Sequence, residues 1–185
     1  MIWKASRVRA AGAFSLVLAL MIAPAMFGWP WWQISAALLL CILAGTIAVE
    51  DLAAMTIPDW ASIAIAVVAI ALMVMQGSDG RQIAAALAVA IGTTASILAL
   101  TWIYGQIRGI DVLGLGDVKL IGASTVLIGP WGIAMQLFIA SVAAILFVVF
   151  RTLRRGRRLR MASRVPYGTF LAPAAIIVWA WLQQP

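Results

Sequence analysis

Six acidic side chains carry most of the proton chemistry that this 185-residue chain can offer: Glu50, Asp51, Asp59, Asp79, Asp111 and Asp117. There is no histidine and a single cysteine, Cys41. Ser-His and Cys-His nucleophile pairs, zinc sites built on His or Cys, and an intrachain disulfide are therefore excluded. Acid–base work near neutral pH falls to the carboxylates, with Lys, Tyr and Ser as the remaining donors and acceptors. Two carboxylates can divide such work. Brought together in a partly desolvated site, their repulsion leaves one readily ionised and the other reluctant. One then takes a proton from an attacking water while its protonated partner donates to a peptide carbonyl, chemistry that needs neither cofactor nor metal.

The surroundings of each acid separate the candidates. Asp117 stands in GLGDVKL, after Gly114 and Gly116. Without a Cβ, those glycines let the backbone take positive φ and let an extended substrate come close to the acid. The plainer reading of the same residues is a loop ended by glycines, with Asp117 capping the next helix. Glu50 is adjacent to Asp51, and helical neighbours point about 100° apart, so the two hardly face one substrate. Glu50 is expected to face lipid headgroups. Asp59 follows Pro58 and precedes an apolar run, which predicts a helix N-cap, with Pro58 stopping the preceding turn. Asp79, in GSDG, reads as an ordinary turn. Asp111 lacks the flanking glycines of Asp117. Lys119, two residues past Asp117, either biases the ionisation of a nearby acid pair or snorkels to the interface as an anchor.

These acids must be held by membrane helices. With 65% apolar and 10% charged residues, the chain is far from the composition of a soluble domain. A spanning helix takes about 20 residues, so the length fits one integral-membrane domain over 1–185 and no separate soluble one. Apolar runs bounded by Gly, Pro or charge predict helices near 11–28, 33–50, 60–76, 82–104, 118–129, 131–150 and 166–183. The expected fold is thus an all-α, polytopic membrane bundle of about six to seven transmembrane helices. The run 118–129 is short for a full crossing, and Gly129-Pro130 marks a break after it. Trp29, Trp31 and Trp32 fit an interfacial aromatic belt.

Orientation follows from the basic residues, which short loops retain on the cytoplasmic side. Alternating the seven segments from a cytoplasmic N-terminus puts Lys4, Arg7, Arg9, Arg108, Lys119 and the seven arginines of 151–164 inside, and only Arg81 outside. The same alternation brings Asp51 and Asp117 to the cytoplasmic face. The stretch RTLRRGRRLRMASR is read as a topology anchor on anionic lipid headgroups, with no nucleic-acid role. The basic start, apolar stretch and Ala23-Pro24-Ala25 also have the pattern of a cleavable signal, which would leave the later segments oriented the same way.

Three stretches together resemble a known family. DLAAMTIPDW at 51–60, GLGDVKL at 114–120 and VPYGTFLAP at 165–173 occur in the order of the motifs of type IV prepilin peptidases, membrane aspartyl proteases of the GxGD class. The likeness covers about 35–175 and is greatest to the short Tad/Flp-pilus form. It implies that Asp51 and Asp117 are the catalytic pair, with Gly114 and Gly116 shaping the site and Pro58 and Lys119 within the supporting motifs. It further implies removal of a short, basic leader from prepilin or prepilin-like membrane substrates, at the cytoplasmic face of the bacterial inner membrane. Longer relatives carry a cysteine-bearing cytoplasmic domain and methylate the new N-terminus; that activity is not expected here. Thr169 stands where relatives often have proline. Two other readings compete: a GxGD protease of the signal-peptide-peptidase kind, which lacks support because no Pro-Ala-Leu motif follows, and a small transporter or assembly subunit with paired membrane acids.

Overall fold

The computed structural model describes residues 2–109, 113–155 and 165–183. They form α1 (Ile2–Ile22), α2 (Trp31–Ala54), α3 (Asp59–Met75), α4 (Gly80–Arg108), α5 (Leu115–Arg155) and α6 (Gly168–Leu182), with a short 3-10 turn, Ala23–Met26, after α1. The architecture is an all-α, polytopic membrane bundle. α2, α4 and α5 are long and apolar enough to cross a bilayer, while α3 and α6 are apolar but shorter.

Local chemistry sets the boundaries. α1 starts at Ile2 rather than near 11, because the sequence holds no helix breaker there and Arg7 finds Glu50 on α2 at 2.8 Å. It stops at Ile22 rather than 28, since Pro24 lacks an N–H and disfavours helical conformation in the residue before it. α2 ends where Met55 turns left-handed (φ 52°, ψ 40°), and Pro58, extended at φ −68° and ψ 126°, occupies the N-cap of α3. Asp79 does more than form a turn. It caps α4, accepting from the Gln82 N–H at 2.8 Å while the Gln82 side chain accepts from the Asp79 N–H at 2.9 Å, a reciprocal capping box.

The expected runs 118–129 and 131–150 are the two halves of α5. Gly129 breaks the helix at φ 68° and ψ 175°, backbone angles that only glycine adopts freely, and Pro130 cannot donate to the preceding turn. The chain folds back there: Gln136, beyond the break, donates to Ser124 Oγ before it at 3.1 Å and to the Leu171 carbonyl on α6 at 3.0 Å.

Side-chain links sort the helix ends. Arg7–Glu50 ties the start of α1 to the end of α2, and Lys119 ties the start of α5 to Asp59 at the start of α3. Gln33 and Gln183 join α2 and α6 at the opposite end, 2.9 Å apart. Arg7, Arg9, Arg108, Lys119, Arg151 and Arg154 accordingly gather at one end of the bundle and Arg81 lies at the other. Asp111 and the arginines beyond Arg155 lie outside the described residues. The core runs between α2, α5 and α6. On α2 the buried stripe Ala37, Leu40, Ala44, Ile47 and Ala48 advances in helical steps and ends on Asp51.

Candidate active site

That stripe fixes the direction of Asp51. It sits in the last turn of α2 on the side facing α6, and only 5% of it is exposed. The start of α6 meets it with polar groups: the Thr169 backbone N–H donates to Asp51 Oδ2 at 2.8 Å, and Thr169 Oγ1 lies 3.2 Å from the same oxygen. The first N–H groups of a helix have no partner within it, and the helix dipole adds positive character at that end, so a carboxylate is a favourable occupant. Glu50, one residue earlier, points elsewhere. It pairs with Arg7 on α1 at 2.8 Å.

Asp117 enters from α5. It is the third residue of that helix, half-buried, with its carboxylate turned back toward the Gly114 backbone amide. It is therefore not the residue that precedes the helix as a cap. Its Oδ1 is buried and has no hydrogen-bond partner among the described residues. A Cβ built on Gly114 would stand 3.3 Å from Asp117 Oδ2, so the missing side chain keeps that carboxylate clear. The charge of Asp51 acts on Asp117 across the gap between the two helix ends.

Ile57, from the extended loop that follows Met55, packs against the starts of α5 and α6. A Cβ on Gly116 would come within 3.1 Å of Ile57 Cβ, and a Cβ on Gly168 within 2.6 Å of Ile57 Cδ1 and 3.1 Å of Asp51 Oδ2. Glycine at both positions leaves room for Ile57 between the start of α5 and the start of α6. On its other side Ile57 borders an open groove of about 1210 Å³ between α1, α2 and the loop, where Arg7, Arg9, Glu50, Pro58 and Trp60 also line the wall.

The remaining sequence candidates separate from this cluster. Lys119 Nζ reaches both carboxylate oxygens of Asp59, at 2.8 and 3.0 Å, and so is engaged away from the acid pair. Asp59 is the first residue of α3 and makes no side-chain cap bond, which corrects its expected role as N-cap; Pro58 holds that position. Among the described residues no group of three or more His, Cys, Asp or Glu side chains is arranged to hold a metal ion. Sequence reasoning missed the part played by Gly168 and Thr169. Their signal was the Pro166-Tyr167-Gly168 turn ahead of an apolar helix, which places free N–H donors at its start. Nothing local pointed to Ile57.

The fold and site define a class: a membrane helix bundle that carries two acids from separate helices to one end, each beside glycines that leave space around it. The chain belongs to the type IV leader peptidase family, whose model matches residues 38–149, more than half of the sequence. It is 28% identical over 86 residues to a prepilin leader peptidase/N-methyltransferase of Dichelobacter nodosus. It is 34% identical over 88 residues to proteins of the same description from Burkholderia pseudomallei strains 1026b and K96243. These alignments cover 46% of this chain and 28% of each relative, so the chain spans less than a third of the curated relatives it matches. No solved structure matches it.

Proposed function

We infer that this chain is a membrane aspartyl endopeptidase that removes the short leader from prepilin or prepilin-like proteins at the cytoplasmic face of the bacterial inner membrane. Residues 1–185 act in this reading as one membrane peptidase unit. The observation that carries it is the placement of Asp51 at the end of α2 and Asp117 at the start of α5, beside glycines that both pack on Ile57, in a chain without histidine. Family membership and the names of the relatives point to the same chemistry. The basic residues at this end of the bundle support the cytoplasmic assignment, because short basic loops stay inside and basic side chains favour anionic headgroups.

In this mechanism the two acids share one proton. The ionised carboxylate takes a proton from water as its oxygen attacks the scissile carbonyl carbon, and the protonated partner donates to the carbonyl oxygen, giving a tetrahedral diol. Collapse breaks the C–N bond, with a proton passed to the leaving nitrogen, so leader carboxylate and mature N-terminal amine separate and the pair again holds one proton. Gly114 and Gly116 leave the backbone open for an extended substrate, and Pro58 fixes the loop that carries Ile57.

The test is co-expression with a candidate prepilin, following leader removal by mass. Asp51→Asn and Asp117→Asn should each lower cleavage by at least about 100-fold, the range in which positioned acids and bases contribute. Cleavage that survives either substitution overturns the reading.

A further inference from the structure

Asp51 meets α6 largely through one residue. The Thr169 N–H and hydroxyl both reach Oδ2, at 2.8 and 3.2 Å, and the same hydroxyl lies 3.2 Å from the Ala48 carbonyl oxygen. The N–H is free for this because Thr169 is the second residue of α6, where backbone donors have no intrahelical acceptor. A single hydroxyl proton cannot serve two acceptors at once. With Asp51 ionised, it points to Oδ2. With a proton on Oδ2, the carboxyl O–H donates to Oγ1 and the hydroxyl proton swings to the Ala48 carbonyl. Thr169 therefore matches Asp51 in either state, and neither state leaves the buried hydroxyl without a partner.

We propose that Thr169 is a positioning residue for Asp51, keeping the carboxyl in one orientation through the proton cycle by switching its hydroxyl between Oδ2 and the Ala48 carbonyl. The groups facing Asp51 from neighbouring elements are the Gly168 and Thr169 amides of α6 and Asp117 of α5. Glu50 is turned to Arg7, and Lys119 to Asp59. Among the described residues no ion pair holds Asp51, so hydrogen bonds supply its orientation. The inference rests on the reading of Asp51 as a catalytic carboxylate.

The test measures kcat and KM for leader removal by the purified full chain in detergent, with Thr169→Ser, Thr169→Val, Thr169→Ala and Thr169→Pro beside Asp51→Asn and Asp117→Asn. Valine and alanine remove the hydroxyl but keep the N–H; kcat should fall roughly tenfold with KM within about twofold, as expected for one lost hydrogen bond to a charged group. Serine restores the hydroxyl and should recover most of that rate. Proline is accommodated in the first turn of a helix yet removes both donors, so it should fall below valine. A full-rate Thr169→Val, a Thr169→Ser as slow as Thr169→Val, a loss confined to KM, or losses that merely track melting temperature across the series overturn the proposal. If Asp51→Asn still cleaves, the peptidase reading itself falls. If Asp51→Asn is inactive while Thr169→Val is unimpaired, only the role of Thr169 falls.

Discussion

Alanine at Gly168 would test the crowding around the acid pair with a single methyl group. Its Cβ would stand 2.6 Å from Ile57 Cδ1, 3.0 Å from Ile57 Cγ1 and 3.1 Å from Asp51 Oδ2. The two neighbours respond differently. Cδ1 is the far end of a half-buried side chain and can swing away, whereas Oδ2 is tied to the Thr169 N–H at 2.8 Å. Overpacking of this kind costs about 1–3 kcal/mol, and replacing glycine in a helix returns about 0.5–1 kcal/mol, so a net loss of roughly 0.5–2 kcal/mol is expected. For catalysis, the carboxylate must give by a few tenths of an ångström. Since a misplacement of about 1 Å can cost on the order of 100-fold, a drop of roughly tenfold in leader-cleavage rate follows.

Ile57→Val separates the two contacts. Valine deletes Cδ1, the closest atom, at a cost of about 0.5–1.5 kcal/mol by itself. In the double variant with Gly168→Ala the stability losses should be less than additive, because the closest of the Ile57 clashes is removed, with a coupling of about 0.5 kcal/mol or more. The rate should stay low, because the contact with Asp51 is unchanged. Melting temperature in detergent reads the first effect and initial cleavage rate the second. A Gly168→Ala chain that cleaves at the wild-type rate refutes the reasoning, as does full recovery of rate by Ile57→Val.

Two further substitutions probe the frame that holds the site. Gly129→Ala puts a side chain on backbone at φ 68° and ψ 175°, which should destabilise the chain by about 1–3 kcal/mol; an unchanged melting temperature would show that the α5 break does not depend on glycine. Lys119 and Asp59 are well exposed, at 55% and 64% of their side-chain areas, so a double-mutant cycle with Lys119→Ala and Asp59→Ala should give a coupling below about 1 kcal/mol that shrinks with salt. A coupling above about 2 kcal/mol would contradict a solvent-screened pair.

What the sequence made legible was whatever glycine, proline and charge decide locally. The interruption at Gly129-Pro130, the apolar segments and the gathering of basic residues at one end all have local causes. The packing face of each helix was not legible, because a bilayer leaves the outward side as apolar as the inward one. α2 and α4 illustrate this: their most apolar windows have nearly equal mean hydropathy, 2.0 and 2.2, yet 50% of one is buried and 6% of the other. Partners were hidden for a related reason. The partner of Glu50 comes into view only when α1 brings Arg7 from 43 residues away, and Asp59 reads as a cap until α5 brings Lys119 from 60 residues away. Thr169 reads as a departure from a family pattern, and its bonds to Asp51 cross 118 residues.

The break in α5 also explains how three separated motifs meet at one end. α2 finishes there, α3 leads away and α4 returns, so α5 starts beside Asp51. As an unbroken helix, its 41 residues would extend about 61 Å, twice the bilayer core, and would carry the chain to the far side. The start of α6 would then lie far from Asp51, and Thr169 could not reach it. Reversal at Gly129 makes two segments that run in opposite directions. The first half, about 20 Å long, carries Asp117 at its start, and the second returns the chain so that Tyr167 meets Ser141 at 3.1 Å and Gly168 and Thr169 open α6 against Asp51. The reversal after that short segment is thus required by parity: an even number of oppositely directed segments between GLGD and YGT is what puts both motifs beside the same acid.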